Sequence, residues 1–278
     1  MRILITAGSG FLGSHLTAAF RERGHEVSGT SRQPGSGQIR FVLGEDLDPG
    51  IALGYEAIIH TAHDFDSAER TVSGTRRLFE VARSSGRPQQ WYVGSYSARP
   101  DASSEYGQVK YAMERIFLDA GGSVIRPGLL IGNGGMFGRN LRFLMTAPAI
   151  PLLNGGRDKV PVLSINDAIR CIILLVENGH QGAWNLFHPH LPEMREIVDV
   201  VLAESGRRRP IVVPVPLPLA LVAARFGARM RISLPFREDN IRSLQANQVR
   251  VHDSDMERLG VVPEGLRDAV RTALRPQP

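Results

Sequence analysis

Three glycines, at positions 8, 10 and 13, restrict this chain more than any other feature. They follow a short apolar run, Ile3-Leu4-Ile5, and a helical pattern begins at Phe11. The run reads as a buried strand, so the stretch MRILITAGSGFLGSHL is strand, glycine-rich turn and helix start. Gly8 and Gly10 let the backbone bend sharply and come close to a pyrophosphate, where a Cβ would intrude. Gly13, one helical turn in, lets the helix lie close against the strand. Unpaired N–H groups at the helix start, backed by the helix dipole, then receive phosphate oxygens. This is the layout of a dinucleotide-binding βαβ unit.

The rest of the chain repeats the alternation. The first helix spans Phe11 to Arg23 and stops at Gly24, a C-cap position. Strands are expected at His25–Thr30, Phe41–Leu43, Ala57–Ile59 and Trp91–Val93, with a helix from Glu69 to Ser84 that stops at Gly86. Strands alternating with helical intervals predict an α/β fold, a Rossmann-type doubly wound parallel sheet. At 278 residues there is room for a smaller C-terminal α/β substrate lobe as well. The expected nucleotide domain is 1–131 with about 163–187, and the lobe is 132–162 and 188–278. Within the lobe, helices are expected at Phe137–Thr146, Met194–Ser205 and Leu217–Ala228, with short strands around Ile211–Val213. Met136, Phe137, Arg139, Phe143 and Phe236 are its candidate wall residues.

Composition narrows the class of function. A 42% hydrophobic and 22% charged chain is ordinary for a soluble globular protein. The net charge of +5 comes from scattered arginines with no basic stripe interleaved with aromatics, which argues against nucleic acid as a partner. Arg207-Arg208-Arg209 reads as a solvated loop. The single cysteine, Cys171, lies among apolar residues and reads as core; alone it forms no internal disulfide. His188 and His190 flank Pro189 without carboxylate partners, so no metal is expected there. Glycines interrupt the first apolar run, unlike a signal peptide. Pro214, Pro216 and Pro218 break the apolar stretch at 211–224, so no membrane span is expected and a cytoplasmic protein is.

Two clusters carry chemistry. The second strand ends at Ser31-Arg32, with no carboxylate to accept from ribose hydroxyls and an arginine suited to a 2′-phosphate. NADP is therefore favoured over NAD. The fifth strand ends at Gly94-Ser95-Tyr96-Ser97, and Tyr106 and Lys110 follow, four residues apart on one helical face. A phenol is a poor acid–base catalyst at neutral pH, and a neighbouring ammonium is expected to lower its pKa. A serine hydroxyl beside it can hold a carbonyl or alcohol oxygen.

The ordered motifs ITAGSGFLG, AIIHTAH, TVSGTRRLFEVAR, YVGS, YGQVK, VIRPGLLIG and GAWNLF resemble the short-chain dehydrogenase/reductase superfamily, in the extended or atypical branch labelled NAD-dependent epimerase/dehydratase. The resemblance covers Met1 to Phe187 well and the remainder weakly. It implies Tyr106 as acid–base residue, Lys110 as its partner on the nicotinamide ribose, and Ser95 as the group orienting the substrate oxygen. It also implies Gly8, Ser9, Gly10, Phe11 and Leu12 on the pyrophosphate and Arg32 on the 2′-phosphate. Asp46 and Leu47 would take the adenine. Thr61, Ala62 and His63 would line the cleft, with Pro127, Leu129 and Leu130 near the nicotinamide. Members often dimerise through the helices that here contain Phe79 and Tyr111, so a homodimer is possible.

Departures from the pattern matter. Ala7 stands at the usual first glycine, Thr71 at a usual asparagine, and Gly94 at a frequent serine, leaving Ser95 or Ser97 to act. The segment between Ser95 and Tyr106 is short, which suggests a trimmed lid. Leu129 replaces an asparagine that binds sugar nucleotides in related enzymes, which weighs against such a substrate. Asp167 is expected to cap the helix starting near Ala168. The expectation is an NADP-dependent oxidoreductase acting on a small or medium carbonyl compound or its alcohol. The alternatives are an epimerase or dehydratase that recycles its hydride, and a cofactor-binding scaffold without turnover.

Overall fold

Apolar runs only four to six residues long can be buried on both faces of a parallel sheet when helices cross between them. The computed structural model has this form, and it describes residues 1–86, 88–207, 210–229, 238–246 and 252–275. Arg208, Arg209 and Phe236 lie outside the described residues. The first half runs β1 (Arg2–Ile5), α1 (Phe11–Glu22), β2 (Glu26–Ser31), β3 (Gln38–Arg40), β4 (Ala57–His60), α2 (Ala68–Ser84), β5 (Gln89–Val93), α3 (Glu105–Asp119) and β6 (Ser123–Pro127). It continues with β7 (Leu129–Ile131), α4 (Gly135–Thr146), β8 (Ala149–Leu153), β9 (Val162–Ser164), α5 (Ile165–Glu177) and β10 (Ala183–Leu186). The remainder is α6 (Met194–Glu204), β11 (Ile211–Val215), α7 (Leu217–Arg229), α8 (Glu238–Ala246) and α9 (Leu266–Leu274).

Seven strands form the main sheet in the order β10-β6-β5-β4-β1-β2-β3. Parallel pairing joins β1 to β2 and β4, β2 to β3, β4 to β5, and β5 to β6. The direction of winding reverses between β1 and β4, and in doubly wound sheets the ligand crevice opens at that point. Ile3, Leu4, Ile5, Ile58 and Ile59 have no exposed surface, as strands covered on both faces require.

Two compact units divide the chain. The first is Met1–Pro100, Glu105–Arg126 and Ile169–Asn185; the second is Asp101–Ser104, Pro127–Ala168 and Leu186–Pro278. Residues 127–131 and 163–168 thus fall in the second unit. Its core gathers Ile131, Phe137, Leu141, Ile150, Val201 and Val270, with Phe143 packed against it. Phe137 is part of that core, and Cys171 is buried as expected.

Two local expectations are corrected. The third strand is Gln38–Arg40, not Phe41–Leu43. After Arg40 the chain turns through Gly44 at φ 85, while Phe41 and Leu43 drop into a core with Leu47 and Ile51. A core-facing loop thus carries the same apolar signature as a strand. The cap of α5 is Ser164, whose Oγ accepts the Asp167 N–H at 3.0 Å. The Asp167 carboxylate instead accepts the Glu264 N–H at 2.8 Å.

Candidate active site

The glycine turn is compressed between β2 and α1. A Cβ on Gly8 would lie 2.6 Å from Gly29 Cα, and one on Gly13 would lie 2.2 Å from the Ala7 carbonyl oxygen. The Gly8 N–H donates to Thr30 O and the Gly10 N–H to Ala7 O, both at 2.8 Å. Ala7 holds the left-handed region at φ 49, a conformation that glycine adopts more readily. Helix α1 starts at Gly10 with no side-chain cap and no acidic residue in its first turn, where Phe11 and Leu12 lie. Its first N–H groups are thus left for an anion.

The end of β2 is tied to this turn. Ser9 Oγ donates to Ser31 Oγ at 3.3 Å, and Ser31 Oγ accepts the Gln33 N–H at 3.2 Å. The neighbouring Arg32 is exposed. Asp46 is fully exposed beside Arg77 at 3.2 Å, whereas Leu47 is core. At the winding reversal, Thr6 Oγ1 accepts the N–H groups of Thr61 and Ala62 at 2.9 and 3.0 Å, and Thr61 Oγ1 donates to Thr6 O. The ends of β1 and β4 are thereby stitched together. Pro127 closes β6, and Leu129 and Leu130 lie in β7, all in the second unit.

Ser95, Tyr106 and Lys110 come together in the first unit. The hydroxyls of Ser95 and Tyr106 hydrogen-bond. Lys110 is 4% exposed, donates to the Val93 carbonyl at 2.8 Å, and sits 4.9 Å from the Tyr92 ring centroid and 5.7 Å from that of Tyr106. Burial lowers its pKa to about 8, against an upward pull from Glu114. The Tyr106 phenol is pushed up, by burial first, with the Ser95 hydrogen bond pulling the other way. The expected lowering by the ammonium is thus not what this arrangement produces. Lys110 directs its charge at the Val93 carbonyl and is itself weakened by desolvation.

One more turn along α3 stands Glu114, which has no exposed surface. Arg126 Nε donates to its Oε2 at 2.8 Å, and burial raises the carboxyl pKa to about 7 despite that partner. Gly94 makes the room: a Cβ there would meet Glu114 Oε1 at 2.3 Å. A serine at residue 94 would require the Glu114 carboxylate to move. Neither Glu114 nor Thr6 stood out in the sequence, although Glu114 continues the four-residue spacing from Tyr106 through Lys110. Thr71, at the usual asparagine, is fully buried, and its Oγ1 accepts the Asp64 N–H at 2.9 Å. His63 meets the Tyr106 ring edge-on at 5.2 Å and the Phe65 ring at 4.6 Å. Burial and the Lys110 charge hold the His63 pKa near 3, so its imidazole is neutral.

The NAD dependent epimerase/dehydratase family matches residues 3–186. The chain belongs to that family. Human epimerase family protein SDR39U1 is 28% identical over 266 residues, which cover 84% of this chain and 89% of that protein. The 2-alkyl-3-oxoalkanoate reductase of Stenotrophomonas maltophilia is 26% identical over 257 residues, or 75% of this chain and 77% of the relative. Among solved structures, MoeE5 in complex with UDP-glucose and NAD superposes with a TM-score of 0.76 at 18% identity, covering 98% of this chain and 97% of that one. Human SDR39U1 (isoform 2) with NADPH gives 0.69 at 21%, covering 98% and 99%. Identities this low establish the shared fold alone. Membership of the epimerase/dehydratase family makes the chain an NAD(P)-dependent oxidoreductase or epimerase. Among the described residues no helix is long and apolar enough to cross a membrane, and no group of three or more His, Cys, Asp or Glu could hold a metal ion.

Proposed function

We propose that the chain is an NADP-dependent oxidoreductase that reduces a small-molecule carbonyl compound to its alcohol, or runs the reverse reaction. The observation that carries this reading is a neutral phenol, Tyr106, hydrogen-bonded to Ser95 at the sheet edge that also holds the glycine turn. The residues present fit a dinucleotide. Gly8, Ser9, Gly10, Phe11 and Leu12 would hold the pyrophosphate, because the turn admits no Cβ at Gly8 or Gly13 and the helix start is uncapped. Ser31 and Arg32 would take the 2′-phosphate, Asp46 would lie toward the adenine, and Thr61, Ala62 and His63 would border the crevice. NADPH in the solved structure of human SDR39U1 supports the same preference.

NADPH, when bound, would supply the hydride for the carbonyl carbon. Ser95 holds the substrate oxygen beside the phenol. As the carbonyl π pair moves onto that oxygen, Tyr106 gives up its proton to it. Lys110 then faces a phenolate, whose charge it stabilises until a solvent proton restores the phenol. The phenol is protonated at neutral pH, the state from which it donates in the reductive direction, and the Ser95 hydrogen bond opposes the upward push of burial.

Replacing Tyr106 with Phe tests the reading. NADPH affinity should stay within about twofold while turnover falls by roughly 10²–10⁴. A fully active variant would sink the mechanism. A tightly retained oxidised dinucleotide on purified protein would instead favour the epimerase or dehydratase reading. Unchanged dinucleotide binding without any turnover by the parent protein would favour a scaffold.

A further inference from the structure

The loop between β4 and α2 carries Phe65, whose side chain is 61% exposed. A single exposed phenylalanine is ordinary on a protein surface. This one is unusual in two respects. Its ring lies parallel to that of Tyr106, with 10° between the planes and 6.3 Å between centroids, and the His63 ring stands edge-on to both. The loop beneath it is also pinned on every side. Asp64 N–H donates to Thr71 Oγ1 at 2.9 Å, Asp66 N–H donates to Asp64 Oδ1 at 2.9 Å, and Arg70 Nε donates to Asp64 Oδ2 at 2.8 Å. The Ser67 side chain caps α2 by accepting the Arg70 N–H at 3.1 Å. A loop so fixed holds an apolar ring out in water at a set angle instead of folding it away.

The geometry points to Phe65 as an aromatic platform beside Tyr106 that selects a planar, uncharged substrate, an aryl or conjugated carbonyl compound, over a saturated or anionic one. This rests on the oxidoreductase reading and names the substrate class for the same site. Ring faces prefer offset or parallel contact with another flat π system, a preference beyond simple area burial. The loop offers no positive charge to an anionic substrate, and Asp66 beside Phe65 adds an exposed carboxylate. His63 is neutral, and the Asp64 and Arg70 charges are spent on each other.

The test measures binding separately from turnover. Acetophenone and cyclohexyl methyl ketone are titrated into the NADP⁺-loaded protein, in the parent and in the Phe65→Leu and Phe65→Tyr variants, by calorimetry. The saturated ketone is bulkier and no less apolar, so area burial alone does not favour the aryl compound. The platform predicts that the parent binds acetophenone about threefold to tenfold more tightly. Phe65→Leu should bring the ratio to about one, and Phe65→Tyr should keep it. NADP⁺ affinity should not change in either variant. A ratio unaltered by Phe65→Leu overturns the platform, and so does a loss of NADP⁺ affinity, which would assign the ring to the cofactor. Turnover with NADPH is read in parallel. If neither ketone nor any other carbonyl is reduced, the oxidoreductase reading fails, while the binding ratio still decides the role of Phe65.

Discussion

Gly94→Ala places one methyl group against the buried carboxylate of Glu114 and isolates what that carboxylate contributes. The added Cβ would stand 2.3 Å from Oε1, 3.2 Å from Cδ and 3.3 Å from the Ile125 carbonyl oxygen. Gly94 is not among the glycines at positive φ, so the substitution adds no backbone strain, only overlap. To reach an ordinary contact, the carboxylate or the strand must give by about 1 Å. Oε1 is the far end of the Glu114 side chain and has no hydrogen-bond partner, so the carboxylate gives first, and its movement strains the 2.8 Å bond between Oε2 and Arg126, whose side chain is only 14% exposed. Overpacking costs about 1–3 kcal/mol, and losing a charge-assisted hydrogen bond costs about 1.5–3 kcal/mol. The expected destabilisation is about 1–3 kcal/mol from overpacking, with up to about 3 kcal/mol more where the Arg126 bond is lost. Urea unfolding followed by tryptophan fluorescence reads it, because Trp91 and Trp184 both lie in the first unit. In the double variant Gly94→Ala/Glu114→Asp, the shorter side chain withdraws the carboxylate, so the two changes should cost at least about 1 kcal/mol less together than their sum. Stability within about 0.5 kcal/mol of the parent for Gly94→Ala, or strict additivity in the double variant, would refute the packing argument.

Three further outcomes follow from the same geometry. Gly13→Ala drives a methyl into backbone, the Ala7 carbonyl oxygen at 2.2 Å, which no rotamer relieves. A titration with NADPH should show binding nearly abolished, and unchanged affinity would mean the turn is not the pyrophosphate cradle. Arg32→Ser should weaken NADPH by about 10- to 100-fold, the worth of a hydrogen bond to a charged group, and leave NADH alone; equal losses would count against its role. Glu177 receives Arg23 Nε at 2.6 Å and His25 Nε2 at 2.8 Å, and these bonds, that of Arg23 foremost, hold its carboxyl near pKa 2, below the 4.5 of a free glutamate. A depressed carboxyl stabilises the fold fully above pH 4.5 and loses that contribution as pH falls through 2. Glu177→Gln should therefore cost about 1 kcal/mol at pH 7, modest because Arg23 is half exposed, and converge on the parent in acid. A gap that persists at pH 2 in chemical denaturation would contradict the assignment.

What could be read from the chain, and what could not, separates along physical lines. Gly8, Gly10 and Gly13 were legible because their constraint is steric and local: a turn between a strand and a helix either has room for a Cβ or has none. Tyr106 and Lys110 were legible because helical spacing alone puts them on one face. The third strand was misplaced because Phe41-Val42-Leu43 is apolar for a different reason, its side chains filling the core from a loop that turns at Gly44. Periodicity cannot tell these cases apart over three residues.

The direction of the Tyr106 shift was beyond the sequence for a deeper reason. Spacing brings an ammonium near a phenol, but the sign of the result depends on how strongly each is desolvated and where the ammonium points. Here Lys110 is almost wholly buried, gives one of its three N–H donors to the Val93 carbonyl, and is lowered by burial to a pKa of about 8. Glu114 then acts in the opposite sense on the two groups, favouring the charged lysine and disfavouring the charged tyrosine. Burial does most to set both groups, and the Glu114 carboxylate adds to the upward push on the phenol while opposing the fall of the lysine. The position of that carboxylate in turn depends on the absent side chain of Gly94, a residue with no chemistry of its own.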